Sequence, residues 1–472
     1  MINLQQGIVF YKQPDDTNAL NWFLLLLMIT ARELALNVLQ AIETEKKRSD
    51  QVLHIKLQHS QLNRVDKALS TGLVNGVLRY RLQLDFIISR FYHHKLEKAA
   101  SVIINILRLG VYQILFLDKV PDWAAVNECV KLARKYKGER MSKLVNGVLR
   151  KITPESVTLT DWLEDKKPAE QLALKYSHPE WLVERWIHTY GTEKTEAILS
   201  YNNQSPHLGF RINRLKTSTE QFFSDPAMNR ASHEESGLEN FFLSKDFSSF
   251  EPAVKNGCLT VQNPTQGLAC LMLNPKPGIA VIDLCAAPGG KATFMAELMQ
   301  NNGNIIAVDL YEQKLLKTET HARALGITII STVTADARSF EPDIHPDAIL
   351  LDAPCSGTGV LGRRAELRWK LSPDMLQELV KLQAELLDHA AEMLNENGIL
   401  VYATCSIEPE ENTIQVQSFL HRHPDFIIDQ NYNSIPDKFI TNNNSKDAIL
   451  TLPDDHPGFD GGFCQRLRKI KR

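Results

Sequence analysis

The chain has 472 residues, of which 43% are hydrophobic and 23% are charged, a composition typical of globular proteins and long enough for about three domains. Its formal net charge of −3 hides an asymmetry, because residues 31–150 carry 21 Lys and Arg against 11 Asp and Glu, and residues 151–472 carry 31 against 43. The basic part favours a polyanionic partner, and a solvated basic helical surface is the alternative.

The N-terminal region contains no clear export or membrane signal. The apolar stretch Trp22–Ile29 has eight residues, whereas a membrane-spanning helix needs about 20. Asp15 and Asp16 precede it where a signal peptide carries basic residues. The seven cysteines include no C-x-x-C pair, which argues against a zinc ribbon or a thioredoxin motif. We expect a cytoplasmic protein with reduced thiols and no metal, and we interpret residues 1–30 as an N-terminal extension.

Residues 31–155 have apolar residues at every third or fourth position, which predicts an all-α domain. The heptapeptide LVNGVLR occurs twice in it, at Leu73–Arg79 and at Leu144–Arg150. Two amphipathic helices can share seven residues by coincidence, but the identity favours an internally duplicated helical bundle. We expect Gly76 and Gly147 to permit close packing between helices.

Residues 168–255 combine helical and strand-like patterns and are interpreted as a small α+β unit. The stretch EWLVERWIHTYG is amphipathic, and GFRINRLK, at Gly209–Lys216, is typical of a strand. Its polar residues form a basic face that either contacts phosphates or is merely solvated. They are Arg211, Asn213, Arg214 and Lys216.

Residues 256–472 contain apolar runs that alternate with helical stretches, which predicts a doubly wound α/β domain of the Rossmann-like type with a parallel sheet. The five runs are IAVIDLC, NIIAVDL, ITIISTV, DAILLDAP and GILVYATC. We expect the common strand order 3-2-1-4-5. In such sheets ligands bind outside the carboxyl ends of the strands.

The first run leads into DLCAAPGGK, at Asp283–Lys291, where a glycine pair lets a ligand approach the backbone. The stretch matches neither the phosphate loop nor the G-x-G-x-x-G motif, which favours a nucleoside ligand without a pyrophosphate. Asp309 follows the second strand and could accept hydrogen bonds from a ribose, and Asp336 follows the third and could accept one from an adenine amino group. Each aspartate alone could instead cap a helix. Together these features favour S-adenosylmethionine.

Two cysteines follow neighbouring strands, Cys355 after the fourth run and Cys405 after the fifth. Adjacent strands lie about 4.8 Å apart, so both thiols would lie beside the methyl donor. Two thiolates without nearby histidines fall short of a zinc site, and the cytosol would keep a disulfide reduced. Both cysteines could also be small packed hydrophobes, but their position in polar turns argues against that interpretation.

A thiol pair beside a methyl donor fits the methylation of cytosine at C5, which is a poor nucleophile. A thiolate added at C6 makes C5 enamine-like, and after methyl transfer a base must remove the C5 proton before the thiol leaves. We expect a helix that begins near Pro409 to lower the pKa of the attacking thiol. Asp352 is placed to hydrogen-bond the cytosine. The spacing alone does not rank the two cysteines.

The stretches DLCAAPGGK, DAPCSGTG and YATCSIEPEEN together resemble the RNA 5-methylcytosine methyltransferase family of the Sun/Nol1/Nop2 type. The resemblance implies that Cys405 is the nucleophile, that Cys355 assists product release and that Asp352 belongs to the same site. It also implies the residues that bind S-adenosylmethionine. They are Cys285, Ala286, Ala287, Pro288, Gly289, Gly290, Lys291, Asp309, Asp336 and Asp352.

The remaining chain resembles a subfamily with an added RNA-binding domain. ILRLGVYQILFL, VPDWAAVNECVKLA and LVNGVLRKI look like a NusB-type domain, and HPEWLVERW and FRINRLK look like a small RNA-recognition-like subdomain. This fusion is similar to the bacterial enzymes that methylate 16S ribosomal RNA at cytosine 967. We therefore expect a monomer that binds 16S rRNA and neither a membrane nor a metal.

Other functions stay open beside this one. The same chemistry could act on tRNA or on another rRNA site, and a non-catalytic NusB-like RNA-binding factor is the alternative from another class. A DNA methyltransferase usually attacks with the cysteine of its P-C motif and would not need Cys405. Two stretches depart from the subfamily pattern near the expected RNA groove, and they contain Arg364, Ala365, Glu366 and Cys464.

Overall fold

The structure is a computed structural model that describes residues 29–45, 48–431, 435–440 and 448–471. The chain forms two compact units that divide between His188 and Thr189. Almost all of the predicted N-terminal extension, residues 1–28, lies outside the described residues. Among the helices that the structure describes, none is long and apolar enough to cross a membrane.

The first unit is built from helices, as the spacing of its apolar residues predicts. Its α-helices, the last of which ends just past the unit, are α1 Ala31–Glu45, α2 Ser49–Gln58, α3 Arg64–Phe91, α4 Ser101–Phe116, α5 Asp122–Leu149, α6 Leu159–Leu163, α7 Pro168–Tyr176 and α8 Glu180–Tyr190. Short 3-10 turns occupy Leu96–Lys98 and Pro154–Ser156. Helix α3 is kinked at Tyr80 and helix α5 at Gly138. The predicted all-α domain is therefore confirmed.

The two copies of LVNGVLR pack differently. Leu73–Arg79 lies within α3, where a Cβ on Gly76 would approach Cζ of Tyr112 to 2.0 Å. Tyr112 in turn stacks on Phe116, with ring centroids 5.4 Å apart. The second copy ends α5, and a Cβ on Gly147 would meet no described atom within 4 Å. The expectation of close helix packing is correct for Gly76 and wrong for Gly147.

The second unit begins with helix α9 and a small antiparallel sheet. The elements are α9 Thr192–Asn202, β1 Leu208–Ile212, α10 Thr219–Ser224, α11 Pro226–Arg230, β2 Glu234–Glu235, β3 Phe241–Ser244, α12 Phe247–Lys255 and β4 Leu259–Val261. The strand order is β2-β3-β1-β4. Phe210 on β1 stacks on Phe242 of β3, with ring centroids 5.2 Å apart, and both contact Phe250 of α12. This confirms a small α+β unit, whose fourth strand lies beyond residue 255.

A larger α/β part follows in the same unit. Its α-helices and strands are α13 Pro264–Leu273, β5 Ala280–Leu284, α14 Gly290–Leu298, β6 Asn304–Asp309, α15 Glu312–Leu325, β7 Ile330–Thr334, β8 Ala348–Asp352, α16 Pro373–Met393, β9 Ile399–Thr404, α17 Thr413–Arg422, β10 Phe426–Ile428, β11 Ala448–Thr451 and β12 Gly462–Lys469. Its 3-10 turns are Thr358–Val360, Ala365–Trp369, Pro409–Glu411 and Asp437–Phe439.

Five strands of this sheet are parallel and run in the order β7-β6-β5-β8-β9, which is the predicted order 3-2-1-4-5. Strand β12 continues the sheet antiparallel to β9, and β10 and β11 pair with β12. The doubly wound sheet is therefore confirmed. It is mixed rather than parallel, because the C-terminal strands, which were not predicted, run antiparallel.

Apolar side chains cover both faces of the sheet, since alternate residues of a strand point to opposite faces. Ile282 and Leu284 of β5 belong to one core cluster, together with Leu387 of α16. Val281 of β5 belongs to the other cluster, together with Phe294 of α14. The carboxyl ends of the parallel strands therefore form an edge that two helical layers hold in place.

Candidate active site

The loops that carry the predicted site residues start side by side at this edge. Leu284 pairs with Leu351, and Asp352 pairs with Ala403, so the ends of β5, β8 and β9 are in register. The glycine-rich loop, residues 285–290, follows β5. The first thiol loop, residues 353–360, follows β8, and the second thiol loop, residues 405–412, follows β9.

The two cysteines are in direct contact. The Sγ atoms of Cys355 and Cys405 lie 3.1 Å apart, and the backbone N–H of Cys405 donates to Cys355 Sγ at 3.3 Å. The hydrogen bond with Cys405 and the burial of the site raise the pKa of Cys355 well above its ordinary value. Cys355 is therefore a protonated thiol at neutral pH, able to donate to the sulfur of Cys405.

A buried polar cluster joins the two thiol loops, and we define it as Ser356, Thr358, Ser406 and Glu411. The hydroxyl of Ser406 lies 3.1 Å from that of Ser356 and 3.2 Å from that of Thr358. Thr358 Oγ1 accepts the backbone N–H of Ile407 at 3.1 Å. Glu411 accepts both the backbone N–H and the hydroxyl of Ser356. This cluster connects the residues that directly follow the two cysteines.

The second thiol loop does not lead straight into a helix. Pro409–Glu411 forms only a 3-10 turn, and α17 begins at Thr413. Asn412 separates the two with φ −117° and ψ −105°, while its side chain accepts the hydroxyl of Thr404 at 2.7 Å. The expected helix start near Pro409 is therefore wrong, because Asn412 interrupts the helical backbone.

Asp352 is held by the lysine of the glycine-rich stretch. Lys291 Nζ donates to Asp352 Oδ2 at 2.6 Å. Burial alone lowers the pKa of Lys291, but the attraction of Asp352 outweighs it, and the pKa is raised. Lys291, Asp352 and Cys405 line one cavity, together with Phe463 and Cys464 of β12. Three predicted site residues thus face a common space.

The glycine-rich loop is braced by Asp309. Asp309 Oδ2 accepts the backbone N–H of Ala287 at 3.2 Å, across the ends of β5 and β6. Gly289 has φ 92°, and a Cβ there would lie 2.4 Å from Cγ2 of Thr318, so a side chain is excluded at this turn. Burial raises the pKa of the Cys285 thiol to about 12, which makes this thiol unreactive.

Asp336 lies in the loop after β7, at the same edge of the sheet. Thr334, the last residue of β7, pairs with Asp309. The carboxylate of Asp336 is partly exposed and accepts a hydrogen bond from the guanidinium of Arg338 at 2.6 Å. These hydrogen bonds from Arg338 lower the pKa of Asp336 to about 2, so the residue is an anion at neutral pH.

Arg211 of β1 is fully buried and contacts the helix that follows the glycine-rich loop. Its guanidinium donates to Glu297 at 2.7 Å, to the carbonyl of Gly290 at 3.0 Å and to the hydroxyl of Thr293 at 3.2 Å. It also lies over the ring of Phe294. Both interpretations of the basic face, a phosphate contact and a solvated surface, are therefore wrong for Arg211, which anchors β1 to the start of α14.

The other residues of the predicted basic face differ from one another. Asn213 is buried and donates to the carbonyls of Gly257 and Leu325. The ammonium of Lys216 donates to two backbone carbonyls at 2.8 and 2.9 Å. Arg214 keeps an exposed side chain, 3.9 Å from the carboxylate of Glu239. Arg214 is thus the residue of this face with an exposed guanidinium.

Known sequences and structures resemble this chain over most of its length. Residues 270–468 match the family described as 16S rRNA methyltransferase RsmB/F. The chain is 34% identical over 450 residues to the probable ribosomal RNA small subunit methyltransferase B of Bacillus subtilis, which covers 93% of this chain and 99% of that protein. This chain belongs to the RsmB/F family.

Further relatives agree with the RsmB/F assignment. The ribosomal RNA small subunit methyltransferase B of Salmonella agona is 32% identical over 410 residues, covering 86% of this chain and 91% of that protein. The crystal structure of PH0851 superposes with a TM-score of 0.77 at 26% identity, covering 94% of this chain and 100% of that chain. Residues 29–154 match the NusB family, and residues 178–230 match the ferredoxin-like domain of RsmF/B-like methyltransferases.

RsmB/F methyltransferases use S-adenosylmethionine, and the site fits this cofactor. The ribose hydroxyls and the adenine amino group are donors, and the carboxylates of Asp309 and Asp336 are acceptors at the edge of the sheet. Lys291, which pairs with Asp352, would offer a cation to the carboxylate of the methionine part. Gly289 is buried, and the close approach of Thr318 fixes the turn of the glycine-rich loop at the start of α14.

One acidic residue of this RsmB/F site escaped the sequence analysis. Asp283 is fully buried at the end of β5, and neither of its carboxylate oxygens has a hydrogen bond of normal geometry to the residues that the structure describes. Burial is the main cause that raises the pKa of Asp283 to about 8, and the negative charge of Asp352 is the second. The sequence feature that could have indicated this residue is an aspartate inside the otherwise apolar run IAVIDLC.

Of the residues that depart from the subfamily pattern, Cys464 lines the cavity of this RsmB/F site, and Arg364, Ala365 and Glu366 follow the first thiol loop in the chain. Cys464 pairs with Ala403 of β9 and lines the cavity beside Cys405, and burial raises its pKa to about 12. Glu366 is buried in the 3-10 turn Ala365–Trp369, and Arg364 lies 3.7 Å from its carboxylate. Cys464 thus provides part of the cavity wall.

Proposed function

We propose that this chain transfers a methyl group from S-adenosylmethionine to C5 of a cytosine in 16S ribosomal RNA, through a covalent bond between Cys405 Sγ and cytosine C6. The observation that carries the proposal is the pair of sulfur atoms, 3.1 Å apart, on adjacent strand ends beside the Lys291–Asp352 ion pair. The names of the bacterial relatives support small-subunit ribosomal RNA as the substrate.

In the proposed reaction Cys405 attacks and Cys355 assists. The thiolate of Cys405 forms the S–C6 bond, and the electron pair of the C5=C6 bond makes C5 nucleophilic. When bound, S-adenosylmethionine would supply the methyl group to C5, and S-adenosylhomocysteine would be the leaving group. For release a base takes the C5 proton, the C5=C6 bond forms again, the S–C6 bond breaks and the Cys405 thiolate leaves. The raised pKa of Cys355 supports its role as an S–H donor to that thiolate.

The remaining site residues have binding roles in this proposal. Asp352, which Lys291 orients, accepts a hydrogen bond from the amino group of the cytosine. Asp309 binds the ribose and Asp336 binds the adenine of the cofactor. The full cofactor set is Cys285, Ala286, Ala287, Pro288, Gly289, Gly290, Lys291, Asp309, Asp336 and Asp352.

We also propose a separate function for each region of the chain. Residues 31–155 bind RNA, residues 168–255 form the small RNA-recognition-like subdomain, and residues 256–472 carry catalysis, with residues 1–30 as an extension. The target is cytosine 967, and the enzyme acts as a monomer in the cytoplasm. The net positive charge of residues 31–150 supports an RNA contact there.

Transfer of labelled methyl groups tests this proposal. The full chain, S-adenosylmethionine and unmethylated 16S rRNA should give 5-methylcytosine, located by bisulfite sequencing, and tRNA should serve as the matched control RNA. Methylation of tRNA alone would show that tRNA is the substrate. Methylation of 16S rRNA at another position would show that the target is a different nucleotide. Absence of methyl transfer from a folded protein that binds the cofactor would refute catalysis and leave an RNA-binding factor.

A further inference from the structure

Glu411 is a fully buried acidic residue whose function the reaction above does not explain. Its hydrogen bonds come from neutral groups. Oε1 accepts the backbone N–H of Ser356 at 2.8 Å and the side-chain amide of Gln383 at 2.9 Å, and Oε2 accepts the hydroxyl of Ser356. A buried carboxylate is costly to desolvate, so packing alone would favour an apolar residue at this position.

The two oxygens of Glu411 hold one residue at two points. They accept the backbone N–H and the hydroxyl of Ser356, and Ser356 directly follows Cys355 in the chain. Both the peptide after Cys355 and the rotamer of Ser356 are therefore set by Glu411. The amide of Gln383 in α16 also donates to the carbonyl of Pro354, which directly precedes Cys355. The first thiol loop is thus fixed on both sides of its cysteine.

Cys405 also has contacts that do not pass through Glu411. Its carbonyl accepts the backbone N–H of Gly359 at 3.0 Å, and Asn412 donates to the carbonyl of Ser406, the next residue. Ser406 has its own hydroxyl contact with Thr358. Loss of the Glu411 carboxylate would therefore release Cys355 more than Cys405.

We propose that Glu411 is a positioning residue that acts through Ser356 to hold Cys355 for product release, while attack by Cys405 depends on it much less. This inference rests on the proposed function, because it assigns a role within the same reaction. The negative charge of Glu411 also contributes to the raised pKa of Cys355, after the larger effects of the Cys405 hydrogen bond and burial. Such a charge favours the S–H form, which the release step needs.

Single-turnover kinetics of the full chain with S-adenosylmethionine and unmethylated 16S rRNA test the inference. Formation and decay of the protein–RNA adduct are followed on denaturing gels. The variants are Glu411→Ala, Glu411→Gln and Ser356→Ala, and Cys355→Ala serves as the reference for blocked release. Glu378→Ala, an exposed glutamate on α16, is the matched control.

We expect Glu411→Ala to slow adduct decay at least tenfold and to change adduct formation less than threefold. Glu411→Gln should recover decay to within threefold of the unsubstituted protein, because its amide oxygen can accept from Ser356 and Gln383 while its NH2 donates to the Ser356 hydroxyl. Ser356→Ala should slow decay severalfold, and it decides the matter if Glu411→Ala does not fold.

Three results would overturn the inference. Equal slowing of formation and decay would mean a general structural role, and unchanged decay would mean no role. A Glu411→Gln variant as slow as Glu411→Ala would show that charge, rather than position, matters. The proposed function fails separately, if Cys355→Ala accumulates no adduct and the unsubstituted protein makes no 5-methylcytosine.

Discussion

Removing the guanidinium of Arg211 should destabilise the second unit without changing the electrostatics of RNA binding. Arg211 and Glu297 are both buried, and their contact is 2.7 Å long. Arg211→Met would leave the carboxylate of Glu297 and the carbonyl of Gly290 without this donor. A side chain that is closed off from solvent cannot neutralise an RNA phosphate, whatever its charge.

The size of the effect follows from the burial of the pair. Removing one partner of a buried ion pair costs about 3–5 kcal/mol, because the other charge stays buried and unpaired. For domains of roughly 150–250 residues, 1 kcal/mol corresponds to about 2–4 °C in Tm. The second unit, residues 189–472, is larger than this, so the lower factor of about 2 °C applies and the expected loss is about 6–10 °C. Arg211→Met/Glu297→Met should recover more than half of it, since buried pairs are often replaceable by apolar side chains.

Differential scanning calorimetry measures the Tm, and titration of RNA at several salt concentrations measures the electrostatic contribution. The matched control is Arg214→Met, whose exposed pair with Glu239 should contribute no more than about 1 kcal/mol. Arg211→Met should leave the slope of log K against log[salt] unchanged. A Tm within 2 °C of the unsubstituted protein would contradict a stabilising buried pair, and a slope reduced by about one would mean that Arg211 contacts an RNA phosphate.

Two further predictions concern stability. Asp283 binds its proton more tightly in the native protein, with a pKa of about 8, than in the unfolded chain, near 3.8, so its contribution to stability falls as the pH rises between these values. The Tm advantage of Asp283→Asn over the unsubstituted protein should therefore grow between about pH 5 and pH 8, and a constant difference in Tm would contradict this. Gly76→Ala should lower the free energy of unfolding by about 1–3 kcal/mol, because the new Cβ overlaps Tyr112, whereas Gly147→Ala should raise it by about 0.5–1 kcal/mol. Denaturant titrations that show shifts of the same sign would contradict this pair.

The parallel part of the fold was predictable because buried parallel strands are continuous apolar runs. Each of the five runs became a strand, and helices covered both faces of the sheet. The antiparallel strands β10 to β12 were not predicted. The short strands Phe426–Ile428 and Ala448–Thr451 carry little periodic signal. The pairing of β12 with β9, and of β10 and β11 with β12, depends on contacts between distant parts of the chain.

The contact between the thiols followed from topology, since adjacent strand ends bring residues about fifty positions apart into one place. The buried polar cluster did not follow from it. Ser356, Thr358 and Ser406 have the composition of ordinary turn residues, and their common burial depends on how two loops close on each other. Glu411 was visible in the quoted motif, but its partners were not.

Arg211 shows a limit of strand patterns. Alternation along Gly209–Lys216 indicates which residues share a face of the strand, but not what covers that face. The guanidinium of Arg211 donates to the side chains of Gln262 and Glu297, which come 51 and 86 residues later in the chain. A basic residue that looks solvated in the sequence is therefore the buried anchor of α14.

Trapping of the covalent adduct tests the proposed roles of Cys405 and Cys355. Unmethylated 16S rRNA and S-adenosylmethionine are incubated with Cys355→Ala or Cys405→Ala, and the products are run on denaturing gels. We expect a stable protein–RNA adduct with Cys355→Ala and none with Cys405→Ala. An adduct only with Cys405→Ala would reverse the two roles, and methylation that persists in both variants without an adduct would contradict covalent catalysis by this thiol pair.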